Sequence, residues 1–166
     1  MIFLDANFLI NFYVETNKDH ERAEELLKSF NDDEILISKL VIMEVITVMN
    51  VKLKQNIYLI SKVYEELNDN YNVIIDNSFY NKGFEILIRE MRENDKRMPL
   101  FDSVYISLMK ELGIKKIATF DNHFDNIEGI VRVCWVDFLI FKLVVIFPFM
   151  TKINFKKNDN VKLLGI

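Results

Sequence analysis

The chain predicts an α/β fold: a layered domain around a mostly parallel sheet of about five strands, flanked by helices. Short apolar runs alternate with longer stretches whose apolar residues recur at helical spacing. Several of those runs are followed by an acidic residue and then a helical pattern, the order of a strand feeding a crossover helix. With 166 residues, 51% of them apolar, the chain suffices for one core and is short for two.

Ile2–Leu4 reads as a short buried strand closed by Asp5, and Ala6–Val14 as a helix carrying Phe8, Leu9, Phe12 and Tyr13 inward. Asp19–Phe30 places Ala23, Leu26, Leu27 and Phe30 on one stripe and most of its charges on the other face. Asn31-Asp32-Asp33 supplies a turn, and Glu34–Ile37 a second strand. Ser38 is placed to cap the apolar helix Lys39–Leu53, which carries Glu44.

A helix over Ile57–Leu67 follows, then a turn at Asn68–Asn72 and a third strand, Val73–Ile75, ending at Asp76. Asn77 or Ser78 is the expected cap of the next helix, through Phe84, Leu87, Ile88 and Met91. After the break at Asn94–Arg97, Pro99 sits where a helix start tolerates proline, so Asp102 falls early in the helix Leu100–Leu112, which Gly113 ends. Lys116–Phe120 is the fourth strand, and a fifth begins near Ile130 and runs to Val133 or Val136.

Four acids occupy the junctions of this pattern: Asp5, Glu44, Asp102 and Asp121. Ligands of parallel α/β sheets lie beyond the strands' C-terminal ends, where Asp5 and Asp121 fall. An ionised carboxylate beside apolar segments costs several kcal/mol unless a cation or hydrogen bonds compensate it. None of the four has a lysine or arginine adjacent in sequence. Converging carboxylates of this kind suit Mg²⁺ or Mn²⁺, which take oxygen ligands and leave positions for water and substrate phosphate.

Leu4-Asp5-Ala6-Asn7-Phe8-Leu9-Ile10, Ser38 through Glu44, Leu100-Phe101-Asp102-Ser103-Val104-Tyr105-Ile106 and Thr119-Phe120-Asp121-Asn122-His123-Phe124 occur in that order. Together they resemble the motifs of PIN-domain nucleases, including the VapC-like toxin ribonucleases. The resemblance spans roughly residues 1–136, leaving 137–166 as an apolar extension and tail that would pack or form an oligomer surface. It implies a metal-dependent endoribonuclease, with Asp5, Glu44, Asp102 and Asp121 as catalytic and metal-binding residues. It also implies an RNA substrate, a homodimer and a small antitoxin that occludes the site. Asn122-His123 departs from the pattern, because many relatives carry a further acid there.

Supporting roles fall to Asn7, which can orient Asp5 or cap the first helix, to Thr119, which can bond a site carboxylate or serve sheet pairing, and to Asp125, a further ligand or a solvated acid. Arg89, Arg92, Lys96 and Arg97 approach Asp102 in sequence and suggest a basic rim for RNA phosphates, or a solvated helix face. Tyr13 and Phe124 suit core packing better than base stacking. Ser103 has no neighbouring base to make it a nucleophile, and His20 and His123 form no paired-histidine motif, which argues against a histidine metal site.

The net charge of −4 excludes a wholly basic nucleic-acid coat but not local capture of a polyanion. The single cysteine, Cys134, reads as a small core residue and leaves no intramolecular disulfide; with Asp5 interrupting the first apolar run, a cytoplasmic protein is expected. Asp137, Lys142 and Pro148 break the apolar stretch Trp135–Met150 into pieces too short to span a bilayer. Two other functions compete. One is a catalytically silent PIN-like scaffold that binds RNA or protein. The other is an aspartyl phosphatase, disfavoured because Asn7 stands where such enzymes place a second aspartate.

Overall fold

A computed structural model describes residues 1–30 and 33–135. Five strands, β1 (Ile2–Leu4), β2 (Ile35–Ser38), β3 (Asn72–Ile74), β4 (Lys116–Ala118) and β5 (Val131–Val133), form one sheet in the order β3-β2-β1-β4-β5. Every pairing is parallel, with Phe3 opposite Leu36 on one side and Ile117 on the other. The chain adds strands outward from β1 on one side, then returns to add β4 and β5 on the other. The crevice at the C-terminal ends of β1 and β4 is therefore the sheet's topological switch point.

Six helices flank the sheet among the described residues: α1 (Ala6–Tyr13), α2 (His20–Ser29), α3 (Lys39–Thr47), α4 (Ile57–Asp69), α5 (Tyr80–Glu93) and α6 (Leu100–Leu112). The central strand is apolar on both faces because helices cover both: Ile2, Phe3 and Leu4 are fully buried. Phe8, Leu9, Val41, Val45, Tyr105 and Met109 carry the surrounding helices onto this core.

The helix carrying Glu44 keeps α geometry over less of its length than its apolar pattern suggests. Beyond Thr47 the backbone widens into a π turn, Val48–Lys52, with the Leu53 N–H donating to the Val48 carbonyl at 3.0 Å. Val45, Ile46, Thr47 and Val48 are consecutive β-branched residues, which crowd the preceding turn. Neither Asn77 nor Ser78 caps α5; they lie in a short 3₁₀ turn, Asn77–Phe79, that leads into it. Asp76 is buried instead at the start of α3, where it accepts from the Leu40 N–H at 2.6 Å and from the Tyr80 hydroxyl at 2.8 Å. Ser38 caps the same helix by accepting from the Val41 N–H, as its position predicts.

Helices α5 and α6 lie unusually close. A Cβ at Gly83 would come within 2.6 Å of Val104 Cγ2 and 2.8 Å of Val104 Cα, so glycine is what lets them meet. Lys82 and Glu111 form an ion pair across the same seam. Gly113, at φ 69°, ends α6 in a left-handed cap, and the next N–H, of Ile114, bonds back to Met109 at 2.8 Å.

Cys134 is only partly buried, because it follows β5 at the sheet edge rather than entering the core. Its carbonyl accepts from Arg22, whose guanidinium lies between the rings of Phe120 (4.8 Å) and Trp135 (3.8 Å) and also bonds Asp19 at 2.5 Å. Among the described residues no helix is long and apolar enough to cross a membrane. The expected turn at Asn31-Asp32, the extension of the fifth strand to Val136, and the apolar stretch and tail over 136–166 lie outside the described residues.

Candidate metal centre

Asp5 leaves β1 at the switch point, its backbone N–H still bonded to the Ala118 carbonyl at 3.1 Å. Its side chain is 4% exposed and makes no capping bond to α1. It instead accepts from the Thr119 hydroxyl at 2.6 Å. Burial raises the Asp5 carboxyl to about 8, the Thr119 bond opposes the rise, and the charges of Asp102 and Glu44 add to it.

Asp102 comes from the first turn of α6 and is 6% exposed. Burial, then repulsion from Asp121 and Glu44, raises its carboxyl to about 7, against a smaller pull from Lys96. Glu44, half-buried on α3, accepts from the Tyr105 hydroxyl at 2.8 Å and is also raised, chiefly by burial. Tyr105 is fully buried and lies one helical turn beyond Asp102, so α6 supplies one acid and holds another.

Asp121 follows β4. Thr119 keeps its N–H on the Val133 carbonyl of β5 at 3.3 Å and turns its hydroxyl inward, where it also accepts from the Asp121 N–H at 3.0 Å. The Asp121 carboxylate accepts from the His123 N–H at 2.9 Å, closing a 3₁₀ turn, Asn122–Phe124, whose Phe124 is buried in the core. His123 Nδ1 then lies 3.0 Å from Asp102 Oδ2 and 3.1 Å from Asp121 Oδ1. One ligand atom from each of Asp102, Asp121 and His123 falls within 4.8 Å of the others, a spacing that fits a single metal ion.

Four elements thus bring Glu44 and Asp102 within electrostatic reach of each other and of both Asp5 and Asp121. The donor chemistry suits a divalent cation: the carboxylates repel one another in a partly desolvated crevice, and binding a cation would relieve both burdens. Thr119 joins them by bonding Asp5.

The other expected residues are placed elsewhere. Asn7 does not reach Asp5; its carbonyl and side-chain oxygen accept from Asn11 at 2.8 and 3.4 Å. Both oxygens of Asp125 accept from Arg132, at 2.6 and 3.0 Å, so its carboxylate is held in an ion pair on the neighbouring edge strand. Lys96 donates to the carbonyls of His123 and Asp125, at 2.7 and 3.1 Å, and so braces the loop after β4 instead of standing on an open rim. Arg89 lies 3.7 Å from Glu90 and lines a cleft between α5 and α6; Arg92 and Arg97 are exposed.

Tyr13 pairs with the Tyr71 hydroxyl at 3.5 Å, and Ser103 donates to the Pro99 carbonyl at 3.4 Å. His20 is remote from the acids in its bonding, with Nδ1 3.0 Å from the Asn11 carbonyl. Sequence reasoning missed Tyr105 and argued against a histidine at a metal site, whereas the fold places His123 with Asp102 and Asp121, because the turn after β4 carries its ring back over both acids. Tyr105 gave no local signal, because its partner is distant in the chain. The signal for His123 was its place two residues after Asp121, where relatives carry a further acid.

The PIN domain family model matches residues 2–130. No curated protein matches the chain in sequence. The fold is similar to VapC20 of Mycobacterium tuberculosis, described as a sarcin-ricin loop cleaving toxin, at 20% identity and TM-score 0.62, over 73% of this chain and 90% of that one. It is similar to VapBC2 of Rickettsia felis bound to a promoter DNA fragment, at 14% identity and TM-score 0.64, over 82% and 100%. DNA-bound VapBC of Salmonella typhimurium aligns at 18% identity and TM-score 0.61, over 81% and 98%.

Proposed function

The chain belongs to the PIN domain family, and from that membership we propose that it is a divalent-metal-dependent endoribonuclease, the toxin of a toxin–antitoxin pair. The observation that carries the reading is the set of four acids gathered at the β1–β4 crevice, with Asp5 raised to about 8 and Asp102 to about 7. Acids held this way keep their charge poorly alone and well beside a cation.

Asp5, Asp102 and Asp121 would hold Mg²⁺ or Mn²⁺, with Glu44 completing the acidic wall. When bound, such an ion neutralises the phosphodiester's charge and lowers the pKa of an attacking water. The chain's own residues supply the positioning. Thr119 keeps one oxygen of Asp5 turned toward it and leaves the other for the crevice. Tyr105 does the same for Glu44. With Asp5, Asp102 and Asp121 engaged by the ion, Glu44 is the acid left to hold or receive a proton, half-buried and with its carboxyl raised.

Arg92 and Arg97 precede the helix that carries Asp102, and in this reading they hold RNA phosphates beyond the crevice. The toxin assignment is supported by similar folds described as a cleaving toxin and as a toxin–antitoxin complex. We infer a small antitoxin partner on the same ground, and from the motif resemblance and the single cysteine a homodimer that acts in the cytoplasm.

The test is cleavage of a panel of structured RNAs with Mn²⁺ or Mg²⁺ by the wild type, Asp5→Asn and Asp102→Asn, with EDTA controls. Cutting that needs metal and is lost in both variants supports the nuclease. RNA binding without cutting points to the scaffold reading, and equal cutting by all three proteins to a contaminant.

A further inference from the structure

We propose that His123 is a direct metal ligand alongside Asp102 and Asp121, and that its nitrogen shifts the site's preference from Mg²⁺ toward Mn²⁺. The inference rests on the metal reading above and specifies which ion that site selects.

The placement of His123 does not depend on its imidazole. Its N–H is bonded to Asp121 Oδ1, its carbonyl receives the Lys96 ammonium at 2.7 Å, and the next residue, Phe124, is buried at 1% exposure. With the backbone fixed on both sides, the ring extends over the acids and is one-third exposed toward the crevice. Nδ1 meets two carboxylates at once, 3.0 Å from Asp102 and 3.1 Å from Asp121. That nitrogen can donate at most one proton, and two carboxylate oxygens face it.

The same distances suit three ligand atoms sharing one ion. In an octahedral site with bonds of roughly 2.1 Å, adjacent ligand atoms lie roughly 3 Å apart. Two carboxylates and an imidazole form a mixed oxygen and nitrogen set. Mg²⁺ discriminates against nitrogen in favour of oxygen and water, whereas first-row transition ions accept imidazole, with Mn²⁺ the weakest binder of that series. An acid at position 123 would give an all-oxygen set and remove that bias.

The probe is Mn²⁺ itself, bound to the full chain and read by pulsed electron paramagnetic resonance, where a directly bound imidazole imprints a ¹⁴N modulation on the echo. The chain has two histidines, and His20 is bonded to the Asn11 carbonyl, so His20→Gln serves as the control for assignment. The expected result is a ¹⁴N modulation in the wild type and in His20→Gln, absent from His123→Asp although that variant still binds Mn²⁺. The Mg²⁺ needed to displace half of the Mn²⁺ should also fall several-fold in His123→Asp. Mn²⁺ binding with no ¹⁴N modulation in the wild type would overturn the proposal and leave the metal site standing. Failure of the wild type to bind Mn²⁺ would overturn both. The wild type and His20→Gln decide together: a modulation lost in His20→Gln would overturn the proposal, and one kept there assigns the nitrogen to His123 even if His123→Asp misfolds.

Discussion

Thr119 donates its hydroxyl to Asp5 across 2.6 Å while accepting from the backbone N–H of Asp121 at 3.0 Å, so one side chain joins the ends of β1 and β4. Thr119→Val keeps the shape and deletes both bonds. Asp5 then loses the interaction that opposes its raised pKa. Cleavage at limiting Mn²⁺ is expected to fall about 10–100-fold, the usual cost of removing a group that orients a metal ligand. Thr119→Ser should retain most activity; equal losses in the two variants would show that the hydroxyl is not the cause.

Tyr105 offers a parallel case for Glu44. Tyr105→Phe removes the 2.8 Å bond while leaving the buried ring in place against Phe3. Stability should drop by about 1 kcal/mol in urea titrations, the net worth of one such hydrogen bond. The turnover rate should fall more than RNA affinity does, because Glu44 loses its orientation rather than its charge.

Without added metal, stability should depend on pH in a defined direction. Asp5 and Asp102 titrate at about 8 and about 7 in the folded chain, against an ordinary value of 3.8. Between those values the folded chain holds protons that the unfolded chain has released, so raising the pH favours unfolding. Stability in EDTA is therefore greatest below the ordinary value of 3.8, declines as pH rises above it, and levels off once about 7 and about 8 are passed. Mn²⁺ should reverse the decline, with its affinity rising over the same interval. Thermal melts across that interval, with and without Mn²⁺, test it; a flat profile in EDTA would refute the assignment of burial as the dominant cause.

Gly83→Ala should act on the fold rather than the chemistry. The added methyl would meet the Val104 backbone at 2.8 and 2.9 Å, a clash that rotamer changes cannot relieve. A loss of about 1–3 kcal/mol is expected, as for other overpacked contacts. Denaturant midpoints measure it, and a variant as stable as the wild type would mean that α5 and α6 can part without cost.

Lys96 and the exposed arginines should separate by salt dependence. In an Asp5→Asn background that binds without cutting, Arg92→Gln or Arg97→Gln should each reduce the salt slope of RNA binding by roughly 0.7, the effect of one lost phosphate contact on a single strand. Lys96→Met should leave that slope unchanged and instead weaken Mn²⁺ binding, because its ammonium braces the carbonyls of His123 and Asp125. A slope change in Lys96→Met equal to that of the arginines would return it to the RNA-contacting rim.

Much of the fold was legible because strand and helix periods are local. The switches from apolar run to helical pattern marked Asp5, Glu44, Asp102 and Asp121 at element junctions, and the sheet is parallel throughout, as that alternation requires. Pairings set by register across the sheet were not legible. Thr119 was readable as a partner for a site carboxylate, but nothing near it singles out Asp5, 114 residues away, and nothing near Asp76 announces Leu40, 36 residues away. Asp125 was ambiguous for the same reason: its partner Arg132 becomes a neighbour once β5 lies beside β4. The helix through Glu44 runs nearly as far as its apolar pattern indicates, but its last turn, Val48–Lys52, is π rather than α, a change of geometry that apolar spacing does not report.

Asp76 grips the Leu40 N–H, and Glu44 stands four residues further along the same helix. That grip works as an index mark: it fixes which residue of the helix comes first and so the compass bearing of each one after it. A slip of one residue would swing Glu44 by about 100° around the helix axis, away from the crevice. The direction in which Glu44 faces is thus calibrated from the far side of β2, by an acid that itself touches none of the chemistry.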